Sequence, residues 1–196
     1  MTAIGFTVRL VVLWALAGLA ACSSPNPNLY TIAPVPGPIE NGAPRAVLVR
    51  EVVVSRYLER TPIVRSSENY RLSVMANDWW GEPLSAMLSR VLVRDLSLRL
   101  PRSAVYGSSS PISLSPDATL DLSVTQLDED ASGNLVLEGQ ASISFSGQRP
   151  PLARSFRFSV APPAASTDGE VAAISDAVGR LATELARMLG ANPIGR

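Results

Sequence analysis

Seventeen acidic and seventeen basic side chains leave the 196-residue chain with no net charge, and so with no field to draw in nucleic acid or an anionic lipid surface. Every basic side chain is Arg, and the lack of His and Lys removes the usual general base, the commonest metal ligand and any Schiff-base or Ser–Lys chemistry. A single Cys forbids an internal disulfide, and the length suits one folded domain behind a leader.

Residues 1–21 read as a signal peptide. Arg9 is the only charge, and an apolar run follows from Leu10 to Ala21. That run of about 12 residues is too short for a bilayer core that needs roughly 20, and it fits the h-region of a signal peptide rather than a core helix. It ends in Leu19-Ala20-Ala21-Cys22, which resembles the lipobox of bacterial lipoproteins: an apolar residue, two small ones, then Cys. The resemblance implies cleavage before Cys22, a diacylglycerol thioether on its sulfur and an acyl chain on its freed amine. Two or three acyl chains hold a protein stably, where one gives only marginal binding. Ser23, rather than Asp, follows the Cys, which in the enterobacterial sorting pattern implies the outer membrane.

Residues 22–44 carry Pro25, Pro27, Pro34, Pro36, Pro38 and Pro44. Pro fixes φ and removes a donor, so this stretch is expected to be a semi-extended tether, with Leu29 to Ile32 as a short edge strand. Residues 45–190 are expected to form a single α+β domain, and 191–196 a tail. Ala46 to Val54 reads as a buried strand. Ser55 to Thr61 breaks the pattern, and Ile63-Val64 with Tyr70 to Met75 suggests an interrupted strand pair. Trp79 to Leu100 has the three- and four-residue apolar spacing of a long helix, with Pro83 in its first turn. Arg102 to Pro116 reads as a Ser-rich loop.

Three alternating segments follow around Leu120–Val124, Leu135–Phe145 and Phe156–Val160, joined by hairpin loops at Asp128–Asn134 and Gly147–Pro151. Thr167 to Glu170 resembles a capping box, with Thr167 as the cap and Glu170 reaching back. The seam Val171, Ile174, Val178, Leu181, Leu185, Met188 makes a second helix, stopped by Gly190 and Pro193. The expected architecture is α+β, an antiparallel sheet of four to six strands with two main helices on one face.

The segment from Ala46 to Leu100 resembles the auxiliary lipoproteins of ABC-type transport systems, the PqiC-like family. The resemblance is carried by Val47 to Val54, by Tyr57-Leu58-Glu59-Arg60, by Ile63-Val64-Arg65, by Tyr70, and by Trp80 through Pro83-Leu84; Tyr30 also suits it. Ser55 departs from it, standing where Pro is common. The resemblance implies a membrane-anchored periplasmic protein at the outer membrane, working with a tunnel-forming MCE-domain protein and its inner-membrane permease to carry lipid between membranes. A homo-oligomer fits the same picture.

Tyr57, Leu58 and Arg60 form a polar-aromatic turn that reads equally as a partner contact or as a structural turn, since Tyr and Arg are enriched at interface centres. Trp79 and Trp80 read first as core anchors, and alternatively as a partner or headgroup contact. Asp128, Glu129 and Asp130 read as a solvated hairpin tip, because calcium needs six to eight oxygens from a dedicated loop. No catalytic residue, metal site or cofactor is expected beyond the acyl groups on Cys22. The competing reading is another envelope-assembly lipoprotein, such as a secretin pilot. A carboxylate hydrolase is a weaker third, for want of a framework that pairs two acids.

Overall fold

The computed structural model describes residues 26–112, 114–147 and 149–191; the expected signal peptide, Cys22 and nearly all of the C-terminal tail lie outside the described residues. The two longest strands are β7 (Ala118–Glu129) and β8 (Leu135–Phe145). They form an antiparallel hairpin closed by a turn in which Gly133 takes φ 76°. The edge strand β9 (Leu152–Val160) lies antiparallel on β8.

The other edge of β7 is lined by three short strands in succession, β2 (Ala46–Val49), β3 (Val53–Val54) and β4 (Pro62–Ser66), all running parallel to it. Beyond them, β6 (Ala104–Gly107) pairs in parallel with β2, β5 (Ser73–Trp80) pairs antiparallel with β4, and β1 (Asn28–Tyr30) pairs in parallel with β5.

Among the described residues the sheet is therefore mixed and nine-stranded, not antiparallel with four to six strands. Period-2 alternation marks a strand but is blind to its partner's direction. Parallel pairing needs a crossover, and helix α1 (Leu84–Arg99) supplies it between the β2–β5 segment and β6. Strands of two to five residues carry too little alternation to be counted from sequence, and β6 sits inside the stretch expected to be loop.

Helices α1 and α2 (Thr167–Gly190) lie on one face, as expected. Met87, Val91, Leu92 and Leu96 of α1 and Ile174, Val178, Leu181 and Leu185 of α2 share one core with Leu120, Val124, Leu135, Leu137 and Ile143 of the sheet. Each such fully buried side chain is worth about 1.5–3 kcal/mol. The alternate positions Asp121, Ser123, Thr125, Gln140 and Ser144 are left exposed or half-buried on the opposite face.

Two boundaries differ from expectation. Helix α1 begins at Leu84 rather than Trp79, with Pro83 as its cap in an extended conformation. Trp79 pairs with Pro62 across the sheet, Trp80 N–H donates to Thr61 O and Gly81 N–H to Tyr30 O, so β-pairing claims these residues first. At α2 the cap is Ser166, whose Oγ accepts from Gly169 N–H at 3.2 Å. Thr167 instead gives its hydroxyl to Asp78, and Glu170 is buried rather than reaching back. Tyr70 and Leu72 lie in the turn between β4 and β5 rather than in a strand.

The Pro-rich segment is not a free tether. From Asn28 it is fixed to the domain, first as β1 and then as a strap across α1 and α2. Ile32 is buried, and its N–H donates to Met87 Sδ. Ala33 N–H donates to Ser175 Oγ, Val35 N–H to Asp95 Oδ1 and Glu40 N–H to Arg99 O. Pro suits such a strap: a segment whose hydrogen bonds go to side chains of two helices has no ladder to lose. The close approach requires Gly179, because a Cβ there would sit 2.8 Å from Val35 Cβ.

Candidate functional site

Of the five residues expected as partner contacts, Tyr57, Leu58 and Arg60 lie in the 55–61 loop and Trp79 and Trp80 at the end of β5, whose Trp80 N–H donates to Thr61 O. The corner is a mixture of anchors and surface. Leu58 and Trp80 are core residues, 2% and 6% exposed, and hold the loop down rather than offering themselves to a partner. Arg60 is exposed, and Tyr57 and Trp79 are half-buried. Trp79 Nε1–H donates to Ala76 O at 3.1 Å, and Glu59 accepts from Ser85 N–H at the start of α1. Glu59 thus ties the loop to α1, leaving Arg60 exposed and Tyr57 and Trp79 partly so.

Tyr57 also leads to a buried polar cluster. Its hydroxyl donates to Asp128 Oδ2 at 2.9 Å, and Gln126 Nε2 donates to Asp128 Oδ1 at 2.9 Å. Asp128 is fully buried, contrary to its expected place at a solvated hairpin tip. The register irregularity between Val124 and Gln126 buries Leu127 in place of Gln126, and the strand continues to Glu129, so the turn begins only at Asp130. Burial, followed by the Asp128 charge, raises the Tyr57 hydroxyl well above its ordinary pKa. Tyr57 thus serves as a neutral donor. Tyr57→Phe removes one of the two side-chain donors to a buried carboxylate and is expected to cost about 1 to 2 kcal/mol, measured as a lowered urea midpoint.

Near the start of α2 lies Glu170, 1% exposed, with neither carboxylate oxygen hydrogen-bonded. Its closest opposite charge is Arg65 Nε at 3.6 Å, an ionic contact rather than a hydrogen bond. Burial, reinforced by the charge on Glu129 and opposed by Arg65, pushes its pKa up to about 7. Arg65 and Glu129 line a shallow hollow of about 230 Å³ with Gly133, Pro162, Ala164 and Ala165.

A carboxyl that holds its proton near neutrality suits general acid catalysis, but both Glu170 oxygens are buried. Among the described residues no group of three or more His, Cys, Asp or Glu side chains is placed to hold a metal.

A third polar centre escaped the sequence reading. Asp95 and Arg99 on α1 are 0% and 1% exposed. The Arg99 guanidinium donates to Val35 O (2.9 Å), Asp95 O (3.0 Å), Gly179 O (2.8 Å) and Thr183 Oγ1 (2.9 Å). It joins the strap, α1 and α2 at one point. Burial pushes the Asp95 carboxyl up and the Arg99 guanidinium down from their ordinary values. The one available hint was a charged pair four residues apart on the apolar side of a helix.

Comparison with known proteins places these features in a lineage. The profile of the "ABC-type transport auxiliary lipoprotein component" family matches residues 28–186, from β1 through most of α2. The protein named "Intermembrane transport lipoprotein PqiC" from Escherichia coli (strain K12) is 30% identical over 146 residues, 72% of this chain and 74% of that protein, and its namesake from Shigella flexneri matches equally.

A crystal structure of an uncharacterized protein superposes with a TM-score of 0.69 at 24% identity, covering 84% of this chain and 99% of the other. Another, from Xanthomonas campestris, gives 0.64 at 20% identity over 81% and 92%. Both share the fold. This chain belongs to the family of ABC-type transport auxiliary lipoproteins.

Proposed function

We propose that the protein is held at the outer membrane by acyl chains on Cys22 and acts, in the periplasm, as a non-catalytic accessory subunit of an MCE/ABC-type system that moves lipid between the inner and outer membranes. The observation that carries this reading is the match of the folded domain, strap included, to transport auxiliary lipoproteins, in a chain whose residues 19–22 form a lipobox-like Leu-Ala-Ala-Cys. A relative named for intermembrane transport supports a role in traffic between membranes. No helix among the described residues is long and apolar enough to cross a membrane, so attachment through Cys22 would supply the link to the bilayer. Arg60, with the surface edges of Tyr57 and Trp79, is the proposed contact for the MCE-domain partner.

Cells are treated with a membrane-permeable crosslinker, and the protein is then purified in detergent. An MCE-domain protein should co-purify, and its yield should fall in an Arg60→Ala/Trp79→Ala variant that stays folded. Absence of any MCE-domain protein from the crosslinked complexes would refute the assignment. Cys22→Ser is expected to move the protein out of the outer-membrane fraction, as an unprocessed or soluble form, with the domain's thermal midpoint unchanged; normal fractionation of that variant would refute the anchor.

A further inference from the structure

Strand β1 gives a direction to the chain that precedes it. Asn28, Leu29 and Tyr30 pair in parallel with Asp78, Trp79 and Trp80. The chain therefore enters β1 from the side of β5 that carries Ser73 and the β4–β5 turn. Cys22 precedes Asn28 by six residues, as Leu72 precedes Asp78 by six. An extended chain covers about 3.1–3.6 Å per residue, so the lipid-bearing sulfur and the turn both lie within about 20 Å of the Asn28–Asp78 pair.

What the turn presents is unusual for a solvated tip. Arg71 N–H donates to Glu68 O at 3.1 Å, closing a tight turn whose central residues Asn69 and Tyr70 have φ 54° and 62°. Positive φ at both centres is the pattern that favours Asn-Gly, and a bulky aromatic there is out of place on backbone grounds. Tyr70 is nevertheless fully exposed, with Leu72 40% exposed beside it and Arg71 between them. Tyr belongs at the headgroup level of a bilayer, with its ring towards the acyl region and its hydroxyl in water, and Arg pairs with phosphate. Glu68 offsets Arg71, so the contact is interfacial rather than field-driven.

We propose that the β4–β5 tip, Asn69 to Leu72, rests in the headgroup layer of the leaflet that receives the acyl chains of Cys22. Domain orientation is then fixed by two points, the anchor and the tip, rather than by a swivelling tether. Because β4 runs parallel to β7, the β7–β8 turn shares the membrane-facing pole, and the β8–β9 turn faces away. The proposal rests on the lipid-anchor reading above.

The test uses the full processed protein, its acylation first checked by intact mass, in vesicles of phosphatidylethanolamine and phosphatidylglycerol. An environment-sensitive fluorophore is placed on Tyr70→Cys, the Cys22 sulfur being occupied by diacylglycerol, and in a second sample on Ser146→Cys in the β8–β9 turn. Lipid-borne nitroxide should quench the Tyr70 label several-fold more than the Ser146 label.

Equal quenching of both labels in an acylated, vesicle-bound protein overturns the tip contact and leaves the anchor standing. Shielding of the Tyr70 label that appears only when the MCE-domain partner is added also overturns it, in favour of a protein contact. A mature protein without acyl chains overturns both readings. To separate contact from mere proximity, Glu68→Cys carries the label with and without Tyr70→Gly. That change creates the Asn-Gly pair the turn prefers, so the thermal midpoint should hold while quenching falls. Unchanged quenching would overturn a role for the Tyr70 ring.

Discussion

Arg99→Ala is expected to lower the stability of the domain by about 3–5 kcal/mol, the range for removing one partner from a buried charged pair, and to free the strap across the helices. The reason is the number of groups that end on one guanidinium. Val35 O, Asp95 O, Gly179 O and Thr183 Oγ1 all accept from it, and Ala leaves them facing a void. Asp95 then keeps only Val35 N–H within hydrogen-bonding reach, and its second oxygen already lacks a partner.

Gly37 packs against the same guanidinium so closely that a Cβ would fall 2.4 Å from Nη2, so the strap's path is shaped around this side chain. Urea unfolding gives the global loss, and limited proteolysis between residues 31 and 41 gives the local one. A fully apolar exchange, Asp95→Leu with Arg99→Met, should recover much of the global stability, since apolar replacements of buried pairs are often neutral or better. It should not recover protection of the strap, whose Val35 N–H and C=O would have no partners. A strap that stays protected in the double variant would show that its packing and the remaining bonds from Ile32, Ala33 and Glu40 suffice to hold it.

The parts that were legible in the sequence are those with long, uninterrupted periodicity. Strands β7, β8 and β9 and the apolar seam of α2 appear where alternation or helical spacing runs for five residues or more. What escaped is set by tertiary pairing. Trp79 and Trp80 have the apolar character to open the helix, but Pro62, Thr61 and Tyr30 capture them into the sheet. The 46–66 segment reads as separate pieces, and only the edge of β7 shows that all three line one strand.

At the corner expected to meet a partner, residue type is legible in the sequence and orientation is not. Neighbours along a loop point different ways, so Leu58 is core while Arg60 is surface. Three adjacent acids suggest a solvated turn, but Asp128 still lies in the strand opposite the buried Val136, where Tyr57 and Gln126 bond to it. The strap was hidden for a related reason. Pro-rich composition forbids regular structure but does not forbid docking, and its anchors, Asp95, Arg99 and Ser175, lie on helices about 60 to 140 residues away.

Glu170 should make the domain less stable as the pH rises from acid to neutral, opposite in sign to a salt-bridged carboxylate. Its folded-state pKa is raised, from an ordinary 4.5 to about 7, first by burial and then by Glu129. Below pH 4.5 the carboxyl is protonated folded or unfolded, and burial carries no ionic cost. Between 4.5 and 7 the unfolded chain releases the proton that the folded domain retains. Stability therefore falls with each unit and levels off above the folded pKa. At 1.36 kcal/mol per unit the full loss is about 3 kcal/mol.

The charges facing the group set the balance: Arg65 favours ionisation and tempers the loss, and Glu129 and Asp128 add to it. Asp95, also raised by burial, slopes the same way. Asp78, held low by its bonds from Thr167 and Asn28, titrates on the acid side of this window and has the opposite sign. Glu170→Gln removes the titrating proton, so urea unfolding from pH 4.5 to 8 should give a much flatter profile. The variant should be the more stable protein at pH 8, by up to about 3 kcal/mol less the cost of an unsatisfied amide. A variant profile as steep as that of the native chain would move the pH dependence to Asp95 and leave Glu170 paired by Arg65 more tightly than their 3.6 Å separation implies.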